Sequence, residues 1–202
     1  MLREMGAELG VDAHTIEVAV SGTSVMLTGT VRSWAEKNQA VEAAWASPHV
    51  TEVDNRIVVN EVLTHTDPPL SDSIELFNTT AGAIDIGGWF LSDAKSNYRK
   101  YRIPANTILP AGGYVAFNET NHFNTSGGVN TNDFSLDGAH GDDVYLLQTD
   151  ARTNLVRFVD HVEFGAAANG ESFGRWPNGS GRGVPMLSRT FGSANSGPRV
   201  GP

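Results

Sequence analysis

The chain has 202 residues, a length that allows one domain or two, and its 23 acidic and 14 basic residues give a formal net charge of −9. This charge argues against a nucleic-acid-binding surface, which needs clustered positive charge, and the absence of cysteine excludes disulfides, thiolate nucleophiles and cysteine-ligated zinc. The longest stretch without a charged residue, Ile103–Asn118, contains two prolines and two glycines, so no transmembrane segment is predicted. Arg3 and Glu4 follow Met1 with no apolar run behind them, so we expect any targeting signal to lie outside this chain.

Glycine and proline content divides the chain near Val59–Asn60. Residues 1–59 contain four glycines and one proline, whereas residues 60–202 contain 18 glycines and eight prolines. Neither part is a basic arm, because the first has four basic and eight acidic residues and the second has ten and fifteen. We therefore predict two domains, residues 1–59 and 60–192, followed by a flexible linker or tail over residues 193–202, which are rich in glycine, serine and proline.

The first domain is predicted to be an α+β unit in the order helix, strand, strand, helix, strand. The helices are predicted over Leu2–Leu9 and from Ser33, a suitable N-cap, to Pro48. Alternation of apolar and polar residues predicts strands over Ile16–Val20, Val25–Val31 and Val53–Val59. We expect these strands to form a three-stranded sheet with the helices on one face.

The second domain is predicted to be all-β. Short strands at regular spacing, separated by glycine and proline turns, are typical of a β-sandwich or barrel. The predicted strands are Ile57–Leu63, Ile74–Asn78, Ile84–Ser92, Tyr98–Ile103, Tyr114–Asn118, Val144–Gln148, Val156–Phe164 and Ser172–Trp176. Because the first of these overlaps the last strand of the first domain, either one long strand serves both domains or the chain kinks near Asn60.

Five aromatic side chains are expected to form the centres of the two cores, because they offer the most apolar area for burial. They are Trp34 and Trp45 in the first domain, and Phe77, Trp89 and Tyr145 in the second. Trp34 and Trp45 fall on one face of the predicted second helix, and Trp89 lies in an alternating strand pattern.

No catalytic or cofactor-binding motif is present: the sequence contains no nucleophile elbow, phosphate-binding loop, dinucleotide glycine fingerprint or paired-histidine metal motif. The densest ionisable group consists of Asp137, His140, Asp142 and Asp143. The glycines of this segment predict a hairpin turn, and a cation site at the three aspartates is the alternative. We therefore predict no enzymatic activity, no cofactor and no metal.

Arg99, Lys100 and Arg102 form the compact basic cluster of the sequence. Their position in a predicted strand favours a solvated strand face, and contact with a ligand is the alternative.

The first domain resembles the BON domain, a small αββαβ module of bacterial envelope proteins. The resemblance rests on the strand pair Ile16–Val20 and Val25–Val31, on the helical residues Ala40–Ala44 and on Val50–Val59, within the pattern VMLTGTVRSWAEKNQAVEAAW … VTEVDNRIVV. It implies an envelope location and contact with phospholipid through residues 1–59, although the acidic charge of this part gives no attraction to anionic lipid.

The second domain resembles the lamin tail domain, an immunoglobulin-like β-sandwich found in nuclear lamins and in bacterial surface proteins. The matching segments are NEVL from Asn60, IELFN from Ile74, IDIGGWFLSD from Ile84, LPAGGY from Leu109, GDDVYL from Gly141 and DHVEFG from Asp160. The resemblance implies a non-enzymatic module that binds a protein or cell-surface ligand in the cell envelope or outside the cell. The alternative is an accessory module of a larger secreted or surface enzyme whose catalytic domain lies outside this chain.

Overall fold

The computed structural model describes residues 16–21, 24–29, 52–53 and 56–200. The chain divides into two compact units, Met1–Asn55 and Arg56–Pro202. Both predicted helices of the first domain, and with them Trp34 and Trp45, lie outside the described residues.

The first unit contains a three-stranded sheet in the order β1–β2–β3, formed by β1 (Ile16–Ser21), β2 (Ser24–Gly29) and β3 (Glu52–Val53). Strands β1 and β2 form an antiparallel hairpin, whereas β3 pairs with β2 in the parallel sense. The alternation of apolar residues placed β1 and β2 to within two residues of their observed bounds.

The described part of the second unit, residues 56–200, consists of eleven strands and a single turn of π-helix at Glu119–Phe123. The strands are β4 (Ile57–Leu63), β5 (Ser73–Asn78), β6 (Ile84–Asp85), β7 (Phe90–Ser92), β8 (Tyr101–Arg102), β9 (Ile108–Leu109), β10 (Tyr114–Asn118), β11 (Asp142–Thr149), β12 (Leu155–Phe164), β13 (Ser172–Trp176) and β14 (Arg182–Pro185). They form a five-stranded sheet in the order β10–β5–β4–β13–β14, a four-stranded sheet in the order β12–β11–β7–β8, and the pair β6–β9. All pairings are antiparallel, and the two larger sheets enclose one core, as in a β-sandwich.

One predicted strand, Ile84–Ser92, is divided in two. The chain turns between β6 and β7, where the Trp89 N–H donates to the Ile86 carbonyl and Gly88 has a φ of 82°. Glycine accepts this left-handed conformation without a steric penalty, so the double glycine ends the first strand.

The core lies between the two larger sheets and draws apolar side chains from both. Ile57 and Leu76 come from the five-stranded sheet, and Leu91 and Leu146 come from the four-stranded sheet. Trp89 packs among them with 3 % of its surface exposed. It is the largest side chain of this core, and burial of an aromatic ring of that size contributes strongly to the stability of a sandwich.

Of the other two aromatic residues expected in this core, Phe77 lies outside it, whereas Tyr145 is buried but lies outside the cluster between the two sheets. Phe77 is half-buried and stacks on Tyr114, with ring centroids 4.5 Å apart. Along β11, Val144 and Leu146 point into the core, so Tyr145 between them lies on the opposite face of the sheet. Tyr145 is nevertheless buried, and one of the rings that cover it comes from the loop between β7 and β8.

Strand β4 runs without interruption across residues 59 and 60, where the sequence placed the domain boundary. All seven of its residues are buried, and it pairs with β5 on one side and with β13 on the other. The register with β5 shifts between Val59 and Glu61, so a β-bulge lies at Asn60 in place of a kink. The segment Ile57–Val59, which was assigned to the first domain, therefore pairs in the sheet of the second unit, where its apolar side chains suit a central strand.

Residues 186–199 form a segment, the C-terminal strap, that packs on the five-stranded sheet. Met186 pairs with Pro198, and Asn195 is buried with its amide donating to the carbonyls of Asn60 and Arg175 at 3.0 and 2.9 Å. Much of residues 193–202, the segment predicted as a flexible linker, is therefore held in place, because its donors form hydrogen bonds with buried carbonyl groups of the sheet.

A buried ion pair connects the two sheets. Arg175 on β13 places Nη2 2.8 Å from the Asp160 carboxylate on β12, and both side chains are largely shielded from solvent. The Val59 N–H also donates to Asp160 at 2.7 Å, and the Arg175 Nε donates to the Val59 carbonyl at 2.9 Å. The carboxylate and the guanidinium are each satisfied by several partners, as a buried ion pair requires.

Candidate functional site

The loop between β7 and β8, residues 93–100, folds over the outer face of the four-stranded sheet. Ser92 Oγ accepts from the Ala94 N–H at 3.0 Å and donates to the Asn97 carbonyl at 2.7 Å. The Lys100 ammonium lies 2.5 Å from the Asp93 carboxylate and joins the two ends of the loop. Hydrogen bonds and an ion pair therefore fix an irregular segment on a regular sheet.

A groove of about 270 Å³ lies between this loop and the turn from β11 to β12. Its floor is apolar: Phe90 and Leu147 are buried there, and Leu155 contributes a side chain that is 43 % exposed. Tyr98 forms a wall, and its ring contacts the Tyr145 ring edge-on at a centroid distance of 5.5 Å. The groove therefore offers apolar surface that open solvent reaches.

The rim of the groove is polar. Ser96, Asn97 and Thr149 provide neutral groups, and Arg99 is the charged residue among those that line it. The Thr149 hydroxyl donates to the Gly88 carbonyl at 2.9 Å, which attaches the end of β11 to the start of β7. The sheet thus supports this side of the rim.

The structure divides the basic cluster that the sequence indicated. Lys100 is paired with Asp93 and lies 5.5 Å from the centroid of the Phe134 ring. Arg102 lies opposite the groove residue Phe90 in the strand register, and its guanidinium lies beside Gly88. Arg99 and Arg102 are exposed, and neither guanidinium has a hydrogen-bond or ion-pair partner in the part of the chain that the structure describes.

A hydrogen-bonded aromatic cluster lies next to the groove on the same face. His161 Nε2 is 2.5 Å from the Asp143 carboxylate, and the Tyr145 ring stacks on the His161 ring at 4.5 Å. Burial, with the neighbouring Asp143 charge, raises the pKa of Tyr145 above its ordinary value of 10.0. The phenol therefore stays neutral, and the cluster is a packed support for Tyr98.

The three aspartates considered as cation ligands do not converge. The Asp137 carboxylate lies 2.9 Å from His140 Nδ1, and this hydrogen bond lowers the pKa of Asp137. Asp142 accepts from the backbone N–H groups of Asp137 and Asp143, while Asp143 itself is directed at His161. Within the described residues, no group of three or more histidine, aspartate or glutamate side chains is placed to hold one metal ion.

Glu61 and Glu75 form a buried carboxylate pair that was not predicted from the sequence. They lie opposite each other on β4 and β5, and both residues have 0 % exposed surface. Burial raises the pKa of Glu75 from 4.5 to about 7, and the nearby Glu61 charge acts in the same direction. A glutamate inside each of the apolar runs VVNEVL and IELF was the available signal.

The C-terminal strap supplies donors to this pair. Thr190 Oγ1 donates to Glu61 at 2.9 Å, and the Gly192 N–H donates to Glu75 at 2.5 Å. From the sheet, Ser172 Oγ donates to Glu61 at 2.6 Å. Through these hydrogen bonds the pair holds the strap on the sheet, and because both glutamates are fully buried the pair is closed to ligands.

The Lamin Tail Domain family model matches residues 51–165, which is more than half of the chain. The chain belongs to the lamin tail domain family. The BON domain model matches residues 2–61, so the predicted fusion of a BON domain with a lamin tail domain is confirmed. Neither the curated proteins nor the solved structures give a significant match to the chain.

The groove lies entirely within the residues that match the lamin tail domain, whereas β13, β14 and the C-terminal strap lie beyond them. In the part of the chain that the structure describes, no helix has the length and apolar character needed to cross a membrane.

Proposed function

We propose that this chain is a non-catalytic binding and scaffolding module of a bacterial envelope or cell-surface protein. The lamin tail domain engages a protein or cell-surface ligand, and the BON domain contacts phospholipid. The presence of two binding-type domains in one chain supports this proposal. The observation that carries it is the groove, whose floor is apolar and whose rim presents the exposed Arg99 from the β7–β8 loop.

The ionisable clusters outside the groove support a binding role over a catalytic one. Acid–base catalysis needs a group that can reach the substrate. Asp143 is directed at His161, whose ring is covered by Tyr145, and the Glu61–Glu75 pair is fully buried. Each of these clusters is occupied by partners within the fold, and each stabilises the sandwich.

Liposome flotation of the full chain tests the phospholipid part of the proposal. We expect the protein to float with neutral phosphatidylcholine vesicles and to gain nothing from added phosphatidylglycerol, because residues 1–59 have twice as many acidic as basic residues. A gradient without vesicles gives the baseline. Recovery of the protein at the bottom with both vesicle types at low salt removes lipid contact from the proposed function.

A further inference from the structure

We propose that the groove beneath the β7–β8 loop binds a protein partner through an acidic peptide segment, with an apolar side chain on the floor and a carboxylate against Arg99 and Arg102. This inference rests on the proposed function and names the ligand of its lamin tail domain.

The size and lining of the groove indicate a peptide side chain. At about 270 Å³ it is slightly smaller than the ~300–1,000 Å³ of pockets that enclose drug-sized molecules. It can accept one or two aliphatic or aromatic side chains, and it is too small for the acyl chains of a lipid. Leu155 is 43 % exposed at its edge, so a partner that covers this residue gains the free energy of apolar burial.

The charge at the rim indicates an anionic neighbour for that side chain. Arg99 lines the groove and Arg102 lies beside it, and both are exposed in a chain whose formal net charge is −9. Arginine binds a carboxylate through two parallel hydrogen bonds, which gives direction as well as attraction.

Nearby acidic groups do not neutralise these two arginines. Asp93 is paired with Lys100 at 2.5 Å. The Asp150 carboxylate accepts from the Arg152 and Asn154 backbone N–H groups and from the Asn154 amide, at 2.8 to 2.9 Å. The positive charge at the rim is therefore available to a ligand.

Fluorescence anisotropy of the full chain with a fluorescein-labelled peptide, Ser-Gly-Glu-Leu with a free C-terminal carboxylate, tests the proposal. We expect saturable binding that weakens as salt rises from about 50 to 300 mM, because exposed charge pairs are screened. The matched peptide with Gln in place of Glu and a C-terminal amide is expected to bind at least about fivefold more weakly.

Three variants locate the binding. Arg99→Ser and Leu155→Ser are each expected to weaken the peptide at least about fivefold, because one removes the guanidinium and the other part of the apolar floor. Arg182→Ser, an exposed arginine on β14 in the other sheet, is the matched control and is expected to keep the affinity within about twofold. All three side chains are exposed, so thermal melting is expected to show folded proteins.

Three results overturn the proposal: no binding at millimolar peptide, equal affinity for the charged and the neutral peptide, or full affinity in the folded Arg99→Ser variant. If the wild-type chain does not bind the peptide and Arg99→Ser no longer floats with vesicles, the groove contacts lipid. This result also overturns the proposal. Intact flotation with no peptide binding refutes the groove ligand alone and leaves the proposed function standing, so the two failures are distinguishable.

Discussion

The buried Glu61–Glu75 pair predicts that the lamin tail domain loses stability as the pH rises from mildly acidic values to neutrality. The pKa of Glu75 is about 7 in the folded protein and 4.5 as its ordinary value. Between these values the folded state keeps a proton that the unfolded state has released, so raising the pH favours unfolding. The stabilising contribution of Glu75 is therefore complete below pH 4.5 and is lost as the pH passes through about 7. At ~1.4 kcal/mol per pKa unit, the full loss amounts to about 3 kcal/mol.

The Glu75→Gln variant removes the titrating group and is expected to lose this part of the pH dependence. The free energy of unfolding is measured by urea titration between about pH 4.5 and 8, followed by hydrogen exchange of peptides from β4 and β5, which report on this sheet alone. Glu163→Gln is the matched control, because Glu163 is exposed on β12 and its replacement is expected to leave the wild-type slope unchanged.

Burial also raises the pKa of Asp72, to about 6, so a smaller decline is expected to persist in Glu75→Gln below that pH. Identical slopes for wild type and folded Glu75→Gln between about pH 5 and 7 refute the assignment of a raised pKa to Glu75.

Trp89→Ala removes a side chain that is 3 % exposed, and is expected to lower the free energy of unfolding by ~3–5 kcal/mol; an unchanged urea midpoint contradicts the packing described. Arg175→Met leaves the buried Asp160 carboxylate without its guanidinium and is expected to cost ~3–5 kcal/mol, with part of the loss recovered in the double variant Arg175→Met/Asp160→Leu. Calcium is expected to leave Tm unchanged in scanning calorimetry, because Asp142 and Asp143 face different partners. A chelator-reversible rise in Tm that is absent from Asp142→Asn/Asp143→Asn contradicts that expectation.

The long strands were predictable, because each lies between strong turn residues and shows a clear apolar pattern. The bounds of β4, β10 and β13 agree with those predicted from the sequence. Strands β6, β7 and β8 fall inside the predicted strands Ile84–Ser92 and Tyr98–Ile103, whose predicted bounds were too long. Strands β9 and β14 were not predicted, since strands of two to four residues carry little alternation and exist mainly through pairing with their neighbours.

The groove and the strap depend on contacts between distant residues. Phe90, Leu147 and Leu155 meet only because β7 and β12 pair on either side of β11. The composition of the C-terminal strap is that of a linker, and Thr190 is fixed by Glu61, a buried acceptor 129 residues earlier in the chain. The local sequence therefore identified Arg99 as a candidate ligand contact. The groove around it is defined only by the pairing of strands that are distant in the sequence.

The central position of β4 determines how the lamin tail domain carries mechanical load. The chain enters the five-stranded sheet at Ile57, and the last described residues lie beside Pro185, whose carbonyl accepts from the Arg199 N–H at 2.8 Å. In the strand register, Pro185 lies opposite Phe173, which in turn lies opposite Val62 on β4. The point where the chain leaves the sheet, at Pro185, is therefore displaced along the strand direction from the point where it enters, at Ile57. Tension between them therefore has a component parallel to the strands, across hydrogen bonds that run perpendicular to them. The bonds between β4 and β13 and between β13 and β14 lie on this path and are loaded in shear, so we expect them to resist being opened one strand at a time.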